Sequence, residues 1–316
     1  MKHLTKRNSY ILLAIAATAF FYSRDGDITT SVYATGTAFA LPLALAAMVG
    51  IMCERTGIVN IGIEGTMLIS AFVAFFVSYL TQNIVIGLIA ALAVGALMGF
   101  INGVLVARIK LPPFIVTLGT LSIFNALKLW YSQSESIRNA DIEANAPGLL
   151  WFGEGFNMAG ASLTYGGIAL ILLAAILWYV LNHTAWGRHV HAIGDDPDAA
   201  MLSGINVSRT LISVYAVAGL ICGFAAWIAI GRVGSVSPIA FDTVNLGSIT
   251  AVVIGGTSLF GGRGSIIGSV LGAFIVGVFN TGLSLAGVDD YWQMFAAGCL
   301  VIVAVALDQW LRRASQ

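Results

Sequence analysis

The residues able to do chemistry are few here, and their spacing excludes most of it. The four histidines sit near the N-terminus (His3) or in one later segment (His183, His189, His191), with no acidic or cysteine partner in register to complete a metal site. His189 and His191 are expected to be solvated loop residues. Cys53, Cys222 and Cys299 are scattered, without disulfide or metal-ligand spacing, and are expected to act as small apolar packers. No His, Asp, Glu or Cys cluster at a single depth marks a catalytic centre. The glycine pairs Gly255-Gly256 and Gly261-Gly262 are not followed by the lysine that a phosphate-binding loop requires, so the chain cannot drive itself with ATP. Glu64 is different. It is the one carboxylate placed well inside a long apolar run, where an ionised side chain costs a few kcal/mol unless it faces a polar interior or a partner.

The elements that must position these residues are set by composition. Of 316 residues, 58% are hydrophobic and 9% charged, against roughly 25% charged in soluble domains. The apolar residues fall into ten runs, near 9–23, 31–52, 58–80, 84–107, 113–131, 163–182, 210–231, 243–262, 265–285 and 290–307. A membrane-spanning helix needs about 20 such residues. The first run is short, and the third and eighth carry polar or glycine-rich stretches, so eight to ten crossings are predicted. The predicted fold is all-α: a single transmembrane domain over residues 1–316, both termini cytoplasmic. The run from Ser9 to Ser23 follows Lys2, Lys6 and Arg7 like a signal peptide, but Phe20, Phe21 and Tyr22 prolong it, and it is taken as an uncleaved first helix. Net charge is zero and no basic block suggests a nucleic-acid partner.

Charge supports this threading. With both ends inside, the inner segments collect 11 of the 15 lysines and arginines, while Arg24, Lys128, Arg138 and Arg232 fall outside. Cytoplasmic loops carry that excess. Two loops stand out by length: 132–162 outside, with Trp151 and Phe152 suited to interfacial anchoring or a partner, and 183–209 inside.

The inner loop contains HAIGDDPDAAMLSGINVSR, from His191 to Arg209. Asp196 is a good helix N-cap, Pro197 fits the first helical position, and Asp198 adds negative charge to the first turn. Gly204 can close the helix in a left-handed conformation. The spacing predicts two helical turns, with Ala199 and Ala200 leaving the surface open to close approach by another protein. Further on, Gly264, Gly268 and Gly272 recur every four residues, predicting one small face on which another helix packs closely. The Gly255-Gly256 and Gly261-Gly262 pairs predict a broken or re-entrant segment.

The inner-loop segment resembles the coupling segment of permeases in bacterial ATP-binding-cassette importers, through Gly194, Asp195, Asp196, Pro197, Ala199, Ala200, Gly204 and Ile205. GGTSLFGGRGSIIG at 255–268 and LPPFIVTLGT at 111–120 are similar to the permeases serving ribose, other monosaccharides and related solutes. On these three motifs, extending the similarity over most of residues 50–307, the chain is identified as a member of the ribose, nucleoside and branched-chain amino acid branch of importer permeases. The resemblance implies a bacterial inner-membrane protein that binds no cofactor itself. It further implies ATPase subunits carrying ATP and magnesium, a second permease subunit, identical or paralogous, and an extracytoplasmic solute-binding protein. The implied mechanism is alternating access, with the coupling helix resting in a groove of the ATPase.

The same resemblance leaves two substrate classes open. TGIVNIGIEG at 56–65 is more similar to nucleoside permeases, whereas the C-terminal third is more similar to monosaccharide permeases. A path lined by Asn60, Thr117, Asn125 and Asn245 suits either hydroxyl-rich solute. Phe114 is expected near that path or as a simple helix start. Asn60 and Glu64 either line the path or brace a broken helix. A secondary transporter is the competing class; it needs ion-coupling charges within the spans, and Glu64 is the only strong candidate.

Overall fold

The computed structural model describes residues 26–133, 135–158, 161–238, 241, 244–259 and 261–313. The predicted first span at 9–23, with Lys2, Lys6, Arg7 and Arg24, lies outside them.

Twelve α-helices follow in order among the described residues: α1 Gly26–Glu54, α2 Ile63–Thr81, α3 Ile84–Ala107, α4 Pro113–Ser132, α5 Asn139–Asn145, α6 Tyr165–His183, α7 Ala185–Asp195, α8 Pro197–Leu202, α9 Val207–Val233, α10 Val244–Ile254, α11 Ile266–Leu285 and α12 Asp290–Arg313. Between α5 and α6 lie a 3-10 helix, Pro147–Gly153, and a hairpin of β1 Gly155–Met158 with β2 Ala161–Thr164. Among the described residues, six helices (α2, α3, α4, α6, α9 and α11) are long and apolar enough to cross a membrane. The molecule is an all-α membrane bundle with one small hairpin in a connecting segment.

The layering follows from side-chain size. Helix α1 is enclosed on most sides; Ala44, Ala46 and Ala47 are fully buried and let neighbours approach its backbone. Helices α9, α10 and α11 pack around it, and α2 and α3 complete the inner group against α9. Large apolar side chains on α3, α4 and α6 instead point outward, among them Ile89, Ile115, Trp130, Ile171 and Leu172. A soluble protein does not expose faces of this kind; here lipid is the solvent.

Two expectations need correction. The run at 58–80 becomes helical only at Ile63, because residues 58–61 run without regular structure from the end of α1 back into the protein. The run at 243–262 does not cross as one helix. Helix α10 has 11 residues and so rises about 16 Å, half of the hydrocarbon core. It ends where Gly256 takes φ +83°, as the paired glycines implied.

The connecting segments sort onto two ends. Ile137 and Val236 exchange backbone hydrogen bonds of 2.9 and 3.0 Å, and Phe152 packs edge-on to Trp227 at 4.5 Å, joining the 132–162 segment to the end of α9. At the opposite end, Gly262 N donates to Arg55 O at 3.2 Å. Segments predicted to share a side do meet.

Candidate functional site

The second of these ends is the more unusual. Local rules build its shortest helix: Asp196 caps α8 by accepting from Asp198 N at 2.9 Å and Ala199 N at 3.0 Å. Pro197 occupies the first turn, and Gly204 closes the element at φ +83°. Ile205 N donates to Ala200 O at 3.1 Å, which finishes the turn. Before it stands α7, an 11-residue amphipathic helix capped by Thr184 Oγ1. His189 and His191 therefore belong to a helix rather than a loop, and His191 Nδ1 lies 2.7 Å from Gly187 O.

Ala200 does not face outward as its size suggested. It is 2% exposed and packs into the protein. Ala199 remains exposed, and the outer surface of α8 is made by Met201 and by Leu202, which is 87% exposed.

Gly194 links this helix to the bundle. A β-carbon there would collide with the carbonyl oxygen of Arg55 and approach Gly262 N to 2.9 Å. At Gly262 it would strike the Asp195 carboxylate, and at Gly261 it would sit 2.5 Å from Gly194 O. Three segments thus meet closely enough for backbone to touch backbone: the end of α1, the end of α7 and the turn between α10 and α11. The Arg55 guanidinium crosses this junction and donates to Gly264 O. Burial pulls Arg55 below its ordinary pKa, so a charged guanidinium here depends on such acceptors. Its Nε and Nη1 have no hydrogen-bond partner among the described residues.

Gly268 and Gly272 form the expected packing face on α11. They press on the backbones of Gly255 and Ala251, closing α11 onto α10. Gly264 is not on that helix, because Ser265 is the N-cap and α11 starts at Ile266. It instead abuts the Thr257 side chain.

Deeper in the bundle, the predicted path residues fall into two groups. Glu64, in the first turn of α2, and Asn245, in the first turn of α10, form a reciprocal pair. Asn245 Nδ2 donates to Glu64 Oε2 at 3.0 Å, and Glu64 N donates to Asn245 Oδ1 at 3.2 Å. Two helix N-termini therefore meet at a buried carboxylate, an arrangement favourable to negative charge. The second group gathers Asn60 and Thr117: Ile61 N donates to Thr117 Oγ1 at 3.3 Å, and Gly62 N to Asn60 Oδ1 at 2.9 Å. Asn102 joins them; a β-carbon on Gly62 would lie 3.3 Å from Asn60 Oδ1 and 3.5 Å from Asn102 Nδ2. Asn102 was not anticipated, although an asparagine within a run as apolar as 84–107 was itself a signal. Asn125 lies two turns along α4 from Thr117, its Oδ1 buried without a partner among the described residues. Phe114 does not join the cluster. Its ring is 53% exposed, since it sits on the outer face of the first turn of α4.

A multi-pass helical bundle is one of the two architectures that can span lipid, and here it carries a short capped helix at one end. The chain belongs to the family described as the permease component of branched-chain amino acid transport systems, matched over residues 32–305. It is 58% identical over 228 residues to the fructose import permease of Rhizobium meliloti, covering 72% of this chain and 63% of that protein. Over 250 residues it is 35% identical to the ribose import permease of Escherichia coli K12, covering 79% and 77%. The galactose/methyl galactoside import permease of Haemophilus influenzae is 36% identical over 222 residues, covering 70% and 66%. The chain thus matches less than two thirds of the length of the fructose permease. No solved structure matches. The protein is a multi-pass inner-membrane protein of this permease family.

Proposed function

We propose that the chain is the membrane-spanning subunit of an ATP-binding-cassette importer and carries a monosaccharide by alternating access. Separate ATPase subunits bind ATP and magnesium, a second permease subunit completes the path, and an extracytoplasmic binding protein delivers the solute. The single observation carrying this reading is α8. It exposes Met201 and Leu202 at 61% and 87%, yet is anchored through Gly194 of the adjoining α7 to the end of α1 and the turn between α10 and α11. Exposed apolar residues at a helix end do nothing for the chain's own fold; they suit a groove on a partner. A push on α8 would reach the Arg55–Gly264 link and from there α11.

The buried Asn102 amide and Thr117 hydroxyl, with the half-buried Asn60 amide, match the hydroxyl-rich surface of a sugar. The relatives named above are fructose, ribose and galactose permeases, which favours a monosaccharide over a nucleoside. The test is Leu202→Asp. Uptake is expected to fall about tenfold or more, while expression and thermal stability stay within about 0.5 kcal/mol of the parent, as at most surface sites. Depleting ATP with the ion gradient intact is expected to stop uptake. Continued uptake would favour a secondary transporter.

A further inference from the structure

The importer reading leaves unassigned a cavity of about 390 Å³ beside the C-terminal half of α2, away from Glu64. One wall is Phe72, Phe75, Phe76 and Tyr79, spaced to share a face of α2. Phe75 and Tyr79 are stacked with centroids 6.3 Å apart, and Phe76 stands edge-on to Phe75 at 5.5 Å. The stripe runs from buried Phe72 to Tyr79, which is 45% exposed, and so leads from the core to a mouth. The facing wall is polar. Gln133, Glu135 and Ser136 contribute from the segment after α4, and Asp141 and Asn145 from α5.

This second wall is held in place. Gln133 turns the chain out of α4 in a left-handed conformation, φ 50°. The Ile137–Val236 bridge ties the segment to the end of α9. Arg138 N donates to Asp141 Oδ2 at 3.2 Å, and Asn145 Nδ2 to Asp141 O at 2.8 Å.

We propose that this cavity is a monosaccharide subsite at the outer mouth of the permease. The proposal rests on the sugar-import reading and adds a place where the solute is held by this chain itself. A sugar ring has an apolar C–H face and a rim of hydroxyls that both donate and accept. The aromatic wall takes the face, and carboxylates and amides take the rim. The volume lies within the range of about 300–1,000 Å³ usual for small-molecule sites. Phosphate-bearing ligands are disfavoured, because Glu135 and Asp141 line the cavity and, among the described residues, no lysine or arginine does. A quaternary ammonium would use the rings and acids, but would leave the donors of Gln133 and Ser136 unused.

The test uses the full chain in lipid nanodiscs, with saturation-transfer NMR on D-fructose, D-ribose and D-galactose. At least one sugar is expected to receive transfer at its ring C–H protons. Tyr79→Leu and Glu135→Gln are each expected to weaken binding about tenfold, whereas Tyr79→Phe retains it. Glu135 is exposed, so its variant carries the test even where Tyr79→Leu fails to assemble. Uptake of the same sugars is measured in parallel in cells carrying the complete transporter. An imported sugar that gives no transfer, or one whose transfer is unchanged in both Tyr79→Leu and Glu135→Gln, overturns the subsite and leaves the importer reading standing. Absence of uptake for all three sugars overturns the reading beneath it. Transfer to choline alone, or choline displacing the sugar signal, overturns the assignment as a sugar site.

Discussion

Glu64 and Asn245 are 181 residues apart, and each hydrogen-bonds the other. The pair brings the starts of α2 and α10 together, so its loss is felt by two elements at once. Removing one partner of a buried pair leaves the other unsatisfied, at about 1–3 kcal/mol. Glu64→Leu is expected to lower thermal stability by that amount. Glu64→Gln keeps an acceptor for the Asn245 amide and is expected to change stability little. Asn245→Asp places two carboxylates together and is expected to destabilise strongly. Adding Glu64→Gln to it restores a donor–acceptor pair, and most of the stability is expected to return. Melting in detergent, followed by size-exclusion chromatography of the four variants, checks the cycle; a double variant no better than Asn245→Asp alone would refute the pairing. Glu64 stood out in the sequence because a carboxylate in an apolar run has few tolerable surroundings. Asn245 could not be matched to it there, since no local spacing encodes a contact across that distance.

Elements divide along the same line between local and distant causes. Helix α8 was legible to the residue, because its cap, its first-turn proline and its closing glycine are all short-range chemistry. Helix α7 was not, because Gly187 and Gly194 read as loop residues until their contacts are known. Gly187 and Gly194 both press on neighbouring backbone carbonyls, of Leu181 and Arg55. The largest missed feature is the glycine ladder of α3. Gly95, Gly99 and Gly103 lie against Gly219, Tyr215 and Ile212 of α9, and Gly223 of α9 lies against Ala91. The four-residue spacing is in the sequence, but it does not name the partner helix. A β-carbon on Gly99 would overlap the Tyr215 carbonyl, which belongs to rigid backbone. Gly99→Leu must therefore separate the two helices, at about 3 kcal/mol or more. Loss of monodisperse protein is the expected result. Gly119→Leu on α4, where nothing lies within 4 Å, is the matched control and is expected to purify normally.

For the whole molecule, the question is which end faces the cytoplasm. Contacts alone define two ends without orienting them: Ile137 with Val236 at one, Arg55 with Gly194 and Gly262 at the other. The distribution of lysine and arginine orients them, since cytoplasmic loops carry the excess. Docking of α8 on an ATPase requires the same orientation, so one measurement bears on both. Cys53 and Cys222 are buried, which leaves Cys299 as the exposed thiol to remove by Cys299→Ser. On that background, Ala140→Cys in α5 and Ser203→Cys beside α8 each place a thiol at an exposed position. With a membrane-impermeant maleimide, the first is expected to label in right-side-out vesicles and the second only in inverted ones. Labelling of both from one side would break the threading of α6 and the segments flanking it. Labelling of each from the opposite side would place α8 outside the cell, where no ATP-driven partner could grip it.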